Sequence, residues 1–104
     1  MTATHPDALA FECGLSFEAL HDRLNELGPW TWRGTESDTY GDYLSSRPGE
    51  GVTIRIFDDK TRWVLQISVR EHATVSRDEI DREFAQRIFP AIGARNIQPT
   101  DTVF

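Results

Sequence analysis

The sequence predicts an α+β domain: a two-layer sandwich in which two helices pack on one face of a four-stranded antiparallel meander. Two observations carry that expectation. Apolar residues recur at helical spacing in two segments, one near each end of the chain, and between those segments the period of the apolar pattern falls from 3.6 residues to 2.

The first helix is read from SFEALHDRLNELGP, residues 16–29. Ser16 can accept a hydrogen bond from the first helical turn, and Phe17, Leu20, Leu24 and Leu27 fall on one face. Gly28 followed by Pro29 ends the element. The second helix opens at VSRDEI, where Ser76 and Glu79 form a capping box and Val75 and Ile80 occupy the positions of a hydrophobic staple. Its inner face is Ile80, Phe84 and Ile88. Asp78 with Arg82, and Glu83 with Arg87, are four residues apart on the outer face. Each such pair is worth about 0.2 to 0.5 kcal/mol in an isolated helix. Pro90 stops or kinks this helix, and AIGARNIQPTDTVF reads as a loose tail with a short helical turn and a terminal strand.

Between the helices, RWVLQISVR alternates Trp63, Leu65, Ile67 and Val69 with Arg62, Val64, Gln66, Ser68 and Arg70, the pattern of a half-buried antiparallel strand. GVTIRIF repeats it with Val52, Ile54 and Ile56 inward and Thr53, Arg55 and Phe57 outward. DDKT joins these two strands as a hairpin turn. Upstream, RPGEG turns the chain between a strand around residues 40–47 and the strand beginning near Val52, and Trp30–Arg33 opens the meander. LAFEC, residues 9–13, is read as an added edge strand. The expected core is Phe17, Leu20, Leu24, Ile54, Ile56, Leu65, Ile67, Ile80, Phe84 and Ile88.

The 104 residues suffice for one core and not for two, so residues 1–104 are expected to form a single domain, with 1–8 and 98–104 as loose ends. No apolar run approaches the ~18 to 20 residues of a membrane helix, and MTATHPDALA lacks the basic start and apolar centre of a signal peptide. The expectation is a cytoplasmic protein that does not engage a membrane. The net charge of −6 opposes binding to a phosphate backbone, which makes nucleic acid an unlikely partner. Lys60 is the only lysine among 11 basic residues, an arginine bias typical of GC-rich bacterial genomes.

The stretch WTWRGTESDTYGDYL, residues 30–44, concentrates aromatic residues around an acidic turn. Trp30 and Trp32 share one side of a strand and are assigned to the core. Tyr40 and Tyr43 cannot share a side, and an inward Leu44 would bring Asp42 inward with it. Either Gly41 marks a bulge, or the Asp42 carboxylate lies near the apolar layer with a partner.

No residue pattern specifies catalysis. The single cysteine, Cys13, lies beside Phe11 and Leu15 as a small buried hydrophobe would. Glu18, His21 and Asp22 resemble half of a carboxylate–histidine metal site, but the second helix contains no histidine to complete it. His72 reads as a loop residue, and Glu36, Asp38 and Asp42 lack the ligand spacing of a calcium loop. No catalytic residue, metal or cofactor is therefore expected.

The strand phase turns Arg33, Arg55, Arg62 and Arg70 away from the helices, with Thr53, Gln66 and Ser68. The expected function is that of a binding or regulatory module engaging a protein partner with an acidic surface through the open sheet face or an edge. Arg33, Tyr40, Asp42, Tyr43, Arg55, Gln66 and Arg70 are the candidate binding residues. The alternative is a small enzyme or ligand-binding domain with a pocket between helices and sheet. The arginines could instead pair with Glu36, Asp38, Asp58 or Glu71, each exposed pair contributing ~0 to 1 kcal/mol.

Overall fold

The computed structural model describes residues 8–28, 30–36, 42–58 and 62–100. Strand β1 (Ala8–Glu12) leads into helix α1 (Phe17–Leu27), then β2 (Trp32–Thr35), β3 (Tyr43–Ser46), β4 (Val52–Asp58) and β5 (Trp63–Val69). Helix α2 (Arg77–Glu83) runs on through a π-helical turn (Phe84–Ile88) into the short α3 (Phe89–Ile92), and β6 (Arg95–Thr100) follows. The strands form one sheet in the order β2-β3-β4-β5-β1-β6, and every neighbouring pair is antiparallel.

The predicted class is correct, and the strand count is not: the sheet has six strands rather than four. The meander β2 to β5 is extended by the two ends of the chain. LAFEC does not make an edge, because β1 lies between β5 and β6. Its sequence suits an interior place, with Leu9 and Phe11 on the helix side and the small Ala8 and Ala10, both 1% exposed, on the other. The segment expected to trail loosely supplies the outermost strand, including residues 98–100.

One apolar layer unites the helices with one face of the sheet. Leu20 and Leu24 of α1 and Ile80, Phe84 and Ile88 of the second helical segment share a buried cluster with Ile54, Ile56, Leu65 and Ile67. Phe17, also assigned to the core, is only partly buried, its ring stacked on Trp63 at 6.5 Å. Trp32 is buried and Trp30 packs partly exposed against it, in keeping with their assignment to the core.

Both helices start as their sequences dictate: Ser16 Oγ accepts from Ala19 N, and Ser76 Oγ accepts from Glu79 N, each at 3.2 Å. The Glu83–Arg87 pair forms at 2.7 Å, and Arg87 also donates to the carbonyl of Leu27 at the end of α1. A cation there satisfies a carbonyl with no helical partner and complements the helix dipole. Pro90 does not stop the second helix. It has no N–H to donate, and its ring would crowd the carbonyl four residues back in an α-helix; the wider π turn immediately before it relieves that conflict. Phe89 N bonds to Phe84 O, five residues back. Left-handed Gly93 (φ 69°) then closes the helix, and Ala94 N bonds to Phe89 O.

Strand β2 lies at an edge, and α1 covers part of it. The Asn25 side chain accepts from Trp32 N at 2.7 Å and donates to Trp32 O at 3.2 Å, so one amide replaces a missing neighbouring strand. His21 Nε2 lies 3.1 Å from the same carbonyl. Ser46, opposite Trp32, is buried with its hydroxyl donating to Thr31 O at 2.9 Å.

Asn25→Ala removes both bonds to Trp32 and is expected to lower unfolding free energy by about 1 to 2 kcal/mol. Urea denaturation should show a lower midpoint with an unchanged slope.

Candidate binding site

The face of the sheet opposite the helices is divided into two halves. Register places Thr35, Tyr43, Phe57, Val64, Ala10 and Gln98 in one row across the strands. In it Phe57 and Val64 are each 2% exposed, and the Tyr43 and Phe57 rings lie 5.2 Å apart. Ala10 is buried with them, whereas Thr35 and Tyr43 are half-buried and Gln98 is exposed. The expectation of a wholly open face fails at Phe57 and Val64, which form a small buried apolar cluster with Ala8 against which Tyr43 packs.

The adjacent row is polar: Arg33, Ser45, Arg55 and Gln66 lie side by side on β2, β3, β4 and β5. Beyond it, Thr53 faces Ser68. Here the face opens into a concavity of about 710 Å³ whose charged side chains are Arg47, Arg55, Arg70, His72 and Glu50, with Thr53 and Ser68 also in its lining.

Two loops shape its rim. Arg70 N bonds to Gly51 O at 2.8 Å, and Thr74 N bonds to Glu50 O at 3.1 Å, which ties the β3–β4 loop to the segment after β5. The tie requires glycine twice. A methyl carbon at Gly49 would collide with Thr74 Oγ1, and Gly51 has φ 78° with its missing Cβ position 3.1 Å from Ala73 Cα. RPGEG is thus more than a turn: it sets Arg47 on one side of the concavity while the loop after β5 sets Arg70 and His72 on the other.

Among the described residues, Arg47, Arg55 and Arg70 make no side-chain ion pair or hydrogen bond, so neither Arg55 nor Arg70 takes the pairing with Asp58 or Glu71 considered from sequence. Arg55 is half-buried, between Ser45 and Gln66. Three guanidinium groups and two hydroxyls thus share the lining of one concavity. Arginine binds carboxylate with paired, charge-assisted hydrogen bonds, and the hydroxyls can donate to its remaining lone pairs.

Of the candidate residues, Arg55 and Arg70 are brought together, with Gln66 beside Arg55. Arg33 is exposed in the same row as Arg55 but two strands away, about 10 Å, outside the concavity. Tyr43 is half-buried against Phe57. Tyr40 and Gly41 lie outside the described residues, as does Asp38. Asp42 is exposed, and its carbonyl accepts from Asp58 N at 3.3 Å. Strand pairing begins at Tyr43, which leaves the Asp42 carboxylate in solvent and Leu44 buried. Arg62 reaches the opposite corner of the sheet, 3.5 Å from Thr100 Oγ1.

Sequence reasoning missed Arg47 and Glu50 and gave His72 no role. The one available signal was the proline-glycine-rich loop beside an arginine. Elsewhere, Cys13 is partly buried and its Sγ lies 3.3 Å from Ile92 O. The His21 ring lies against the Trp32 carbonyl, with Asp22 3.7 Å away. Among the described residues, no group of three or more His, Cys, Asp or Glu side chains is placed to hold a metal ion. No described helix is long and apolar enough to cross a membrane. Compared with protein-family models, curated proteins and solved structures, the chain matches none.

Gly49→Ala is expected to destabilise the fold by about 1 to 3 kcal/mol through collision with Thr74. Thr74→Ala in the same chain should restore part of the loss in thermal unfolding, since it removes the hydroxyl that the new methyl group meets.

Proposed function

We propose that the chain is a binding module that docks a carboxylate-bearing segment of a protein partner on the open half of its sheet. The convergence of Arg47, Arg55 and Arg70, none of them in an ion pair among the described residues although Glu50 shares the lining, supports this reading most directly. A concave polar surface on a chain of net charge −6 is a local reversal of sign. Such a patch can orient an acidic partner during encounter although the whole molecule is negative. The same net charge works against a long polyanion, whose phosphates would extend beyond the patch into negative surroundings.

The roles within the site follow from position. Arg55, held in the sheet between Ser45 and Gln66, supplies a fixed fork at the base, whereas Arg47 and Arg70 close on the ligand from the loops. Thr53 and Ser68 set the depth at which a carboxylate can be received. Glu50 at the rim disfavours ligands that carry negative charge on that side.

Fluorescence anisotropy with a labelled glutamate- and aspartate-rich peptide provides the test, with a single-stranded oligonucleotide of equal charge as the comparison. Arg55→Glu combined with Arg70→Glu should weaken peptide binding at least about tenfold while circular dichroism stays unchanged, since both changes are on the solvent side. Equal affinity of the folded double variant would refute the site, and preference for the oligonucleotide would refute the partner class.

A further inference from the structure

We infer that a recess on the helix side of the molecule, distinct from the arginine concavity, binds a medium-chain alkyl carboxylate. The recess lies where the second helical segment passes over β5, β1 and β6 and encloses about 730 Å³. That is within the range of cavities that hold small ligands, roughly 300 to 1,000 Å³. Its floor is formed by Leu65, Ile67, Phe84 and Phe89, and its walls include Ala85 and Ile97. No hydroxyl or amide side chain lines it, so the body of a ligand meets only apolar surface. Ile97, 42% exposed, is the one exposed large apolar side chain among the described residues, and it stands on this wall.

Polar character is confined to Arg77, Asp81 and Arg95. Arg77 is already engaged, with its Nε 2.9 Å from Asp81 Oδ1. Arg95 is exposed and makes no side-chain bond among the described residues, while neighbouring Glu12 takes a hydrogen bond from Asn96. An apolar trough with one uncommitted guanidinium matches a ligand that has one anionic end and a flexible hydrocarbon tail. The π turn contributes to the shape. Five-residue spacing brings the Phe84 and Phe89 rings to 5.4 Å on one side of the helix and leaves the small Ala85 on the wall, and such turns recur at functional sites.

A second copy of the chain is a poorer occupant. Adding a strand at β6 is opposed by Pro99, which has no N–H, by Asn96 at φ 52°, and by the register shift between Ala10 and Glu12.

The test uses the full chain with decanoate and decanol as probes, followed by ¹⁵N-resolved NMR and titration calorimetry. Decanoate should bind saturably with shifts centred on Ala85, Gly93 and Ile97, and decanol should bind about tenfold or more weakly, as expected for losing a charge-assisted hydrogen bond. Arg95→Gln should weaken decanoate alone. Ala85→Trp, at an exposed position, should block both probes, and Ile97→Asp gives an independent block if the tryptophan disturbs folding. Non-saturable decanoate binding would overturn the assignment, as would equal affinity for the two probes. A concentration-dependent dimer abolished by Ala85→Trp would assign the recess to a second copy instead.

Discussion

The ring of Phe84 ties together parts of the sheet that share no hydrogen bonds. It lies 5.8 Å from Trp30, 6.3 Å edge-on from Trp32 and 5.4 Å from Phe89, and Phe89 in turn lies 5.3 Å from Phe11. That chain of rings runs from β2, the first strand in the sheet order, to β1, the fifth. Aromatic pairs of this geometry contribute about 0.5 to 1.5 kcal/mol beyond the area they bury. The π turn matters for this reason: with regular α spacing, Phe84 and Phe89 would not both face inward, and β1 would lose its contact with the far end. A constraint placed on one helical segment thereby fixes where the N-terminal strand can sit.

The elements legible in the sequence were those whose patterns state their own environment. Caps at Ser16 and Ser76 and the alternation in β4 and β5 located two helices and the central strands, because one-sided burial imposes a period that residues must follow. β1 and β6 were harder to read for opposite reasons. β1 is covered on both faces, so Ala8 and Ala10 are apolar where an alternating strand would be polar. β6 has five exposed positions, a proline and a left-handed asparagine, and no period at all. Its place is determined by β1, a partner more than 80 residues away, and no local propensity encodes that.

The arginine site was half legible for a related reason. Strand phase was enough to point Arg55 and Arg70 away from the helices, and Gln66 with them. Arg47 depends on the close approach of the β3–β4 loop to the segment after β5, a tertiary contact visible in sequence only as the two glycines that permit it. The same phase argument overreached at Phe57, since knowing which face a residue takes does not reveal whether that face is covered.

Asn25 gives the sheet a boundary. Exposed strand edges are templates for further strands, and proteins that leave them open risk assembling without limit. Here β2 has only four residues, and the Asn25 amide occupies the outward N–H and C=O of Trp32. At Trp32, then, the edge has no free backbone group for a further strand to pair with. A contact made at Trp32 therefore has to be made by side chains, whose reach and charge can be tuned residue by residue.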